Sequence, residues 1–251
     1  MIDIHTHILP KIDDGAQSLE ETYHMIEEAQ KAGFTDIIAT SHYIENQYEV
    51  DTIKRRALIE AINRVIAQKE LNIKLHMGNE IYITPNLAQL VKQKKVATLA
   101  DSRYVLFELP MNSKINYLEK IIFEIQANGL VPIIAHPERY QYVQENPNFV
   151  VNLVTKGVLF QANFASIGGY YGKKAKKALI QLLKANSIHF FAVDAHNFEK
   201  YDIIQENIKE LEKIISKEQL ERLTTIHPSH ILENTKIEIE PPKLIKRGLF
   251  Y

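Results

Sequence analysis

The chain has 251 residues, 45% hydrophobic and 24% charged, enough to bury a sizeable core as one large domain. Thirty Lys plus Arg against thirty-one Asp plus Glu leave a net charge of −1, which argues against a general nucleic-acid binder. Zero cysteines exclude disulfides, a thiolate zinc site and a cysteine nucleophile, and no apolar run approaches the roughly 18 residues of a membrane helix.

The start, Met1-Ile2-Asp3-Ile4-His5, lacks the basic-then-apolar layout of a signal peptide, so a soluble cytoplasmic protein is expected. Short β-branched runs predict strands near Ile2–His7, Asp36–His42, Ile73–Glu80, Arg103–Leu109, Val131–His136, Val158–Asn163 and Ile188–Asp194. Their starts recur at intervals of about thirty residues, the size of one βα unit. Helices fill the gaps. Ser18 to Glu21 has capping-box spacing before a helix that stops at Gly33, and Asp51 caps a long helix carrying Leu58, Ala61, Ile62 and Val65. Two more are expected over Lys114–Asn128 and Lys173–Asn186, and Arg222–Ile226 is a weak eighth strand. Seven βα units suit either a closed barrel or an open doubly wound sheet. No linker, repeat or low-complexity segment divides residues 1–235. Residues 236–251 form a basic tail, with Lys243, Lys246 and Arg247 beside Leu249, Phe250 and Tyr251, that reads as surface-docked or frayed, a partner-binding arm being the second reading.

In parallel α/β folds, binding residues gather at the C-terminal ends of strands. Every predicted strand but the sixth ends here in a potential metal ligand: His5 and His7, His42, Glu80, Glu108, His136, and Asp194 with His196 two positions on. Side-chain alternation places Asp3, His5 and His7 on one face of the first strand. A lone His-x-His is as often a buried, hydrogen-bonded pair as a ligand pair, and Glu80 or Glu108 alone reads as a helix-capping or salt-bridging carboxylate; the conjunction is what counts. Glu108 adds to it, since it follows the interior run Tyr104-Val105-Leu106-Phe107 and carboxylates are rarely buried unless paired or metal-bound. Taken together these residues predict a multinuclear metal site at the strand ends. Imidazole and carboxylate without thiolate suit manganese, iron or zinc, and such ions side by side serve displacement at phosphorus. In His136-Pro137-Glu138-Arg139, Arg139 can fork onto a phosphate; its alternative is a surface salt bridge with Glu138 or a neighbour. His76 shares a face with Glu80 and is read mainly as a packing residue. His24, His189, His227 and His230 are read as structural, and Gly168-Gly169-Tyr170-Tyr171-Gly172 as a flexible loop bordering the site.

Several motifs then carry a resemblance: His5-Thr6-His7 with Asp13-Asp14-Gly15, Ser41-His42, Gly78-Asn79-Glu80, His136-Pro137-Glu138-Arg139 and Asp194-Ala195-His196-Asn197. Over about residues 1–235 the chain resembles the polymerase-and-histidinol-phosphatase (PHP) superfamily. Within it, Ile8-Leu9-Pro10 and Asp101-Ser102-Arg103-Tyr104 are similar to the bacterial manganese-dependent tyrosine-protein phosphatases of capsule and exopolysaccharide operons. The resemblance implies a distorted (β/α)7 barrel with three metals, Mn2+ first and Fe or Zn as alternatives. It implies that His5, His7, Glu80 and Asp194 hold one ion and that Glu80 bridges to a second held by Glu108 and His136. Asp14, His42 and His196 would hold the third, with Arg139 on the phosphate and Arg139, His42 and His196 counted as catalytic. The activity implied is hydrolysis of phosphotyrosine by a metal-activated hydroxide, on the tyrosine-rich tail of a membrane-associated bacterial tyrosine kinase. A phosphatase of a small metabolite such as histidinol phosphate is the alternative enzyme, and a weakly catalytic kinase-binding regulator the alternative of another class. The chain departs from the family's pattern at Tyr201, where an arginine is common, and Lys200 beside it offers a point charge.

Overall fold

The computed structural model describes residues 1–246. Parallel strands alternate with helices, as the βα rhythm predicts, but the seven predicted strands appear as nine segments. These are β1 (Ile2–Thr6), β2 (Asp36–Ala39), β3 (His42–Tyr43), β4 (Lys74–Met77), β5 (Glu80–Tyr82), β6 (Tyr104–Glu108), β7 (Val131–Ala135), β8 (Leu159–Asn163) and β9 (Phe190–Ala192). Two of the seven are broken, at Thr40-Ser41 and at Gly78-Asn79. The segments below the breaks form one sheet in the order β1-β2-β4, and the rest form a second in the order β3-β5-β6-β7-β8-β9. Backbone bonds carry the ladder across the gap, from Gly78 N to Ala39 O (3.0 Å) and from Glu80 N to Thr40 O (3.0 Å). On the other side, Asp194 N donates to His5 O (2.8 Å) and His7 N to Ala195 O (2.9 Å), tying the end of β9 to β1. The distortion of the barrel lies in these breaks.

Two buried clusters give the barrel its inside and outside. Ile4, Ile38, Leu106, Ile133, Leu159 and Phe190, from six strands, pack on one another within the ring. Ile37, Val105, Phe107, Ile134, Phe160 and Phe191, on the opposite strand faces, pack against the helices. The first helix, Leu19–Lys31, is capped by Ser18, which accepts from Glu21 N, and buries Met25, Ile26 and Ala29. The second, Thr52–Gln68, is capped by Asp51, which accepts from Ile53 N and Lys54 N. Leu118–Ala127 and Gly172–Lys184 match the other two expected helices, the former starting four residues late. Arg222–Ile226 is not a strand. It is a π-helical turn in which Thr224 Oγ1 donates to Leu220 O, running directly into the helix His227–Leu232. Among the described residues, no helix is long and apolar enough to cross a membrane.

The alternation expected along β1 also fails at one point. Its register against β2 slips by one residue between Asp3 and Thr6, a bulge that turns later side chains over. Asp3 and Thr6 therefore both meet Tyr201, whose hydroxyl lies 3.0 Å from Asp3 Oδ2 and 3.1 Å from Thr6 Oγ1. Asp3 does not share a face with His5. Beyond residue 235 the chain folds back on the barrel: Ile237 is buried in the inner cluster, Lys243 N donates to Ala185 O, and Asn148 brackets Ile245. The tail is surface-docked as far as it is described, while Arg247, Leu249, Phe250 and Tyr251 lie outside the described residues.

Candidate metal centre

Nine side chains converge where the strands end. His5 Nε2 lies 3.1 Å from Glu80 Oε2 and 3.6 Å from Asp194 Oδ1; His7 Nε2 lies 3.3 Å and 3.5 Å from the same atoms. The two imidazole nitrogens are themselves 3.3 Å apart. Glu80 Oε1 is 2.9 Å from His136 Nε2, which is 3.8 Å from Glu108 Oε2. His42 reaches both halves of the cluster: its Nδ1 is 3.1 Å from Glu80 Oε2 and 3.6 Å from Glu108 Oε1, its Nε2 3.6 Å from Asp14 Oδ1. Asp14 Oδ1 is also 3.4 Å from His196 Nε2. All nine sequence-predicted ligands are brought together. Three sets have donor atoms mutually within 4.8 Å: His5, His7 and Glu80; His42, Glu80 and Glu108; and His7, Asp14, His42 and His196. His7, His42 and Glu80 each fall in two sets, which packs the possible ion positions closely.

The backbone works to aim these groups. His136, immediately after β7, and Asp194, two residues after β9, both take left-handed conformations, with φ of 34° and 53°. Non-glycine residues take that conformation uncommonly, His and Asp more readily than most, and two of them at the strand ends point to surroundings that fix the backbone. Neighbouring side chains then fix the rings. Gln161 Oε1 accepts from His5 Nδ1–H and Asp13 Oδ2 from His7 Nδ1–H, each at 2.8 Å, so both Nε2 atoms face the cluster. Asp13 Oδ2 also accepts from His42 N (2.7 Å). Asn163 Nδ2 and Arg139 Nη1 hold Asp194 Oδ2 at 2.7 and 2.8 Å, leaving Oδ1 directed at the histidines.

The charge balance calls for cations. Burial opposes a charged His5, yet the Glu80 and Asp194 carboxylates raise its pKa to about 9. Burial, then repulsion from Glu80 and Asp194, pushes the Glu108 carboxyl well up from its ordinary range. At the solvent edge the His196 hydrogen bond draws Asp14 down to about 2. Two imidazole nitrogens 3.3 Å apart, ringed by buried carboxylate oxygens, therefore need protons or metal ions between them. With four carboxylates and five imidazoles, the donor set fits divalent metal ions.

Some readings of individual residues change. Glu138 is not a surface partner of Arg139: it is buried, and its Oε1 accepts from Asn163 N (2.9 Å) and Ser166 Oγ (2.6 Å), fixing the end of β8. Arg139 pairs with Asp194 instead and lies 4.6 Å from the Tyr171 ring centre. The glycine-containing loop after β8 does border the site through Tyr171. His76 lies apart from it, bonded to Asp36, because the break at Gly78-Asn79 separates it from Glu80. Tyr201, buried on Asp3, does not enter the site. Asp13, Gln161 and Asn163 were missed as supporting residues. The sixth strand, which ends in no ligand, ends in Asn163, which holds one.

Residues 1–233 match the family described as capsular polysaccharide synthesis, CpsB/CapC. The chain belongs to the CpsB/CapC family. Within it, the tyrosine-protein phosphatase YwqE of Bacillus subtilis is 34% identical over 248 residues, covering 98% of this chain and 97% of YwqE. A crystal structure from work on YwqE and on CpsB of Streptococcus pneumoniae, described there as unique metal-dependent tyrosine phosphatases, superposes with a TM-score of 0.92. It is 34% identical and covers 98% of this chain and all of its own. Histidinol phosphate phosphatase from Lactococcus lactis, complexed with zinc, L-histidinol and phosphate, superposes at 0.53 with 15% identity, over 83% of this chain and 92% of its own. That likeness is one of fold, and it agrees with the distorted α/β barrel that the family resemblance implies.

Proposed function

We propose that this chain is a metal-dependent protein-tyrosine phosphatase whose catalytic unit is residues 1–235. The nine converging ligand-type side chains carry the reading, supported by the likeness to YwqE over the full length. His5, His7, Glu80 and Asp194 are assigned to one ion, Glu80, Glu108 and His136 to a second, and Asp14, His42 and His196 to a third, with Mn2+ as the working metal. When bound, such ions would lower the pKa of a water and neutralise the phosphoryl oxygens.

The chain's own residues do the rest. Gln161 and Asp13 hold the His5 and His7 rings with their Nε2 lone pairs inward. Arg139 spends Nη1 on Asp194 and keeps Nη2 and Nε for a phosphoryl group, while its face rests on Tyr171. His42 and His196, the least buried histidines of the cluster, line the side from which a phosphate ester enters. The partner in this reading is a phosphotyrosine protein, the tail of a tyrosine kinase that controls polysaccharide assembly.

The test is phosphate release from a phosphotyrosyl peptide by chelator-stripped protein, before and after addition of Mn2+. Activity that returns with the metal, and that fails to return in His136→Ala with an unchanged circular dichroism spectrum, is the expected result. A folded, metal-supplied protein that releases no phosphate overturns the reading.

A further inference from the structure

One cation near the site is without an acceptor. Lys200 follows β9 by eight residues, and its Nζ is buried with no hydrogen-bond partner among the described residues. Aromatic rings surround it instead: the ammonium lies 3.0 Å from the centre of the Tyr170 ring and 5.4 Å from that of Tyr171. Ring faces compensate a desolvated ammonium only in part, and three N–H donors without an acceptor remain costly. Lys200 also makes no ion pair within 4.0 Å among the described residues, whereas Arg139 is bonded directly to Asp194. The two cations meet only through Tyr171, whose ring carries Arg139 at 4.6 Å and whose hydroxyl takes a hydrogen bond from Asn163.

The cover over this ammonium stands at the surface. The Tyr170 ring is 64% exposed and makes no side-chain hydrogen bond among the described residues. It is flanked by Gly169 and Gly172, whose φ values of 86° and 89° are left-handed and which have open space where a Cβ would stand.

We propose that Lys200, under the Tyr170 ring, is a specificity-determining residue that binds an acidic side chain next to the phosphotyrosine of the substrate. This rests on the phosphotyrosine reading above, in which Arg139 and the metal centre take the phosphoryl group. A flanking carboxylate displaces Tyr170 and supplies the acceptor that the ammonium lacks; no bond is made or broken. The unreacting part of the substrate thereby contributes selectivity at a point outside the reacting centre.

The experiment uses two fluorescent peptides with a non-hydrolysable phosphonate analogue of phosphotyrosine, flanked by Glu in one and by Ala in the other. Their affinities for the metal-loaded protein are read by anisotropy. The unsubstituted protein is expected to prefer the Glu peptide by roughly tenfold. Lys200→Met should erase the preference, and Lys200→Arg should keep most of it. Equal affinities in the unsubstituted protein, or a preference that persists in Lys200→Met, overturns the assignment. Because binding is read without turnover, this outcome is separate from a failure of the phosphatase reading, which shows as no phosphate released from the hydrolysable peptide.

Discussion

His42 and Glu80 are register partners, each the first residue of a strand segment that resumes after a break, and His42 Nδ1 lies 3.1 Å from Glu80 Oε2. The breaks that create this pairing are clamped by one buried cation. Arg55, 1% exposed, donates to Gly78 O (2.8 Å) and to Asn79 Oδ1 (2.5 Å), and Asn79 Nδ2 donates across to Ser41 O (2.8 Å). One guanidinium thus secures both interrupted strands just before their metal-facing residues. Arg55→Met should cost about 3 kcal/mol of stability, since charged hydrogen bonds are lost and a buried carbonyl is left unmet. Urea denaturation reads that loss. Metal titration should show weakened binding, and an unchanged titration would refute the clamp.

Gly15 admits no side chain. A Cβ there would stand 1.9 Å from His7 O and 2.5 Å from His7 Cβ. The same glycine's N–H donates to Asp13 Oδ1, and Asp13 is the residue that orients the His7 ring. Gly15→Ala should therefore act on the metal centre through His7, with about 1–3 kcal/mol of destabilisation from overpacking. The expected signature is a lowered Tm together with weaker metal binding. A Tm and metal affinity equal to those of the unsubstituted protein would show that the loop yields freely.

The sequence makes most of the ligands legible because they stand at or just past the ends of predicted strands, where one hydrophobic-to-polar switch marks the strand's mouth, whereas Asp14 follows no strand and is suggested only by the family resemblance. What it conceals is the break within a strand. Asp36–His42 and Ile73–Glu80 read as continuous, because period-two alternation says nothing about where a ladder slips sideways. The bulge between Asp3 and Thr6 is hidden for the same reason, and with it the assignment of Asp3 and Tyr201 to a different layer from His5. Supporting residues such as Asp13, Gln161 and Asn163 carry no spacing signal of their own. They are recognised only once a ring nitrogen or carboxylate oxygen is seen to need them. Arg222–Ile226 is misread because Leu-Thr-Thr-Ile is rich in strand formers, while packing under the following Pro228 helix decides for a helical turn.

Arg139 combines two tasks that substitution can separate. Its Nη1 holds Asp194, and in the proposed reading its remaining nitrogens take the phosphate. Arg139→Ala removes both and should lower kcat/KM on a phosphotyrosyl peptide by about 10²-fold, with KM raised and kcat lowered. Arg139→Lys keeps a charge but cannot fork, so it should recover only part of the loss. Full activity in the lysine variant would mean that charge alone suffices and that the bidentate geometry is not used.

The opposite end of the barrel supplies a pH dependence. His189 opens toward β9 fully inside the protein, where Phe160 N donates to its Nδ1 (3.0 Å) and its own N donates to Phe160 O (2.9 Å). Burial, then the neighbouring His227, pushes its pKa down to about 3. Protonation of Nδ1 would break the bond from Phe160 and place an unpaired charge in the core. With the folded pKa below the unfolded one, the unfolded chain binds more protons between about pH 3 and 6.5, so stability falls as the pH drops through that window. For this one group the loss between pH 7 and pH 5 is about 2 kcal/mol. His189→Asn keeps an acceptor for Phe160 N and removes the titration. Chelator-treated protein unfolded in urea at the two pH values should lose about 2 kcal/mol less in the variant than in the unsubstituted chain, because the other histidines titrate alike in both. Equal losses would mean that His189 titrates alike in the folded and unfolded chain, so that burial does not hold it neutral.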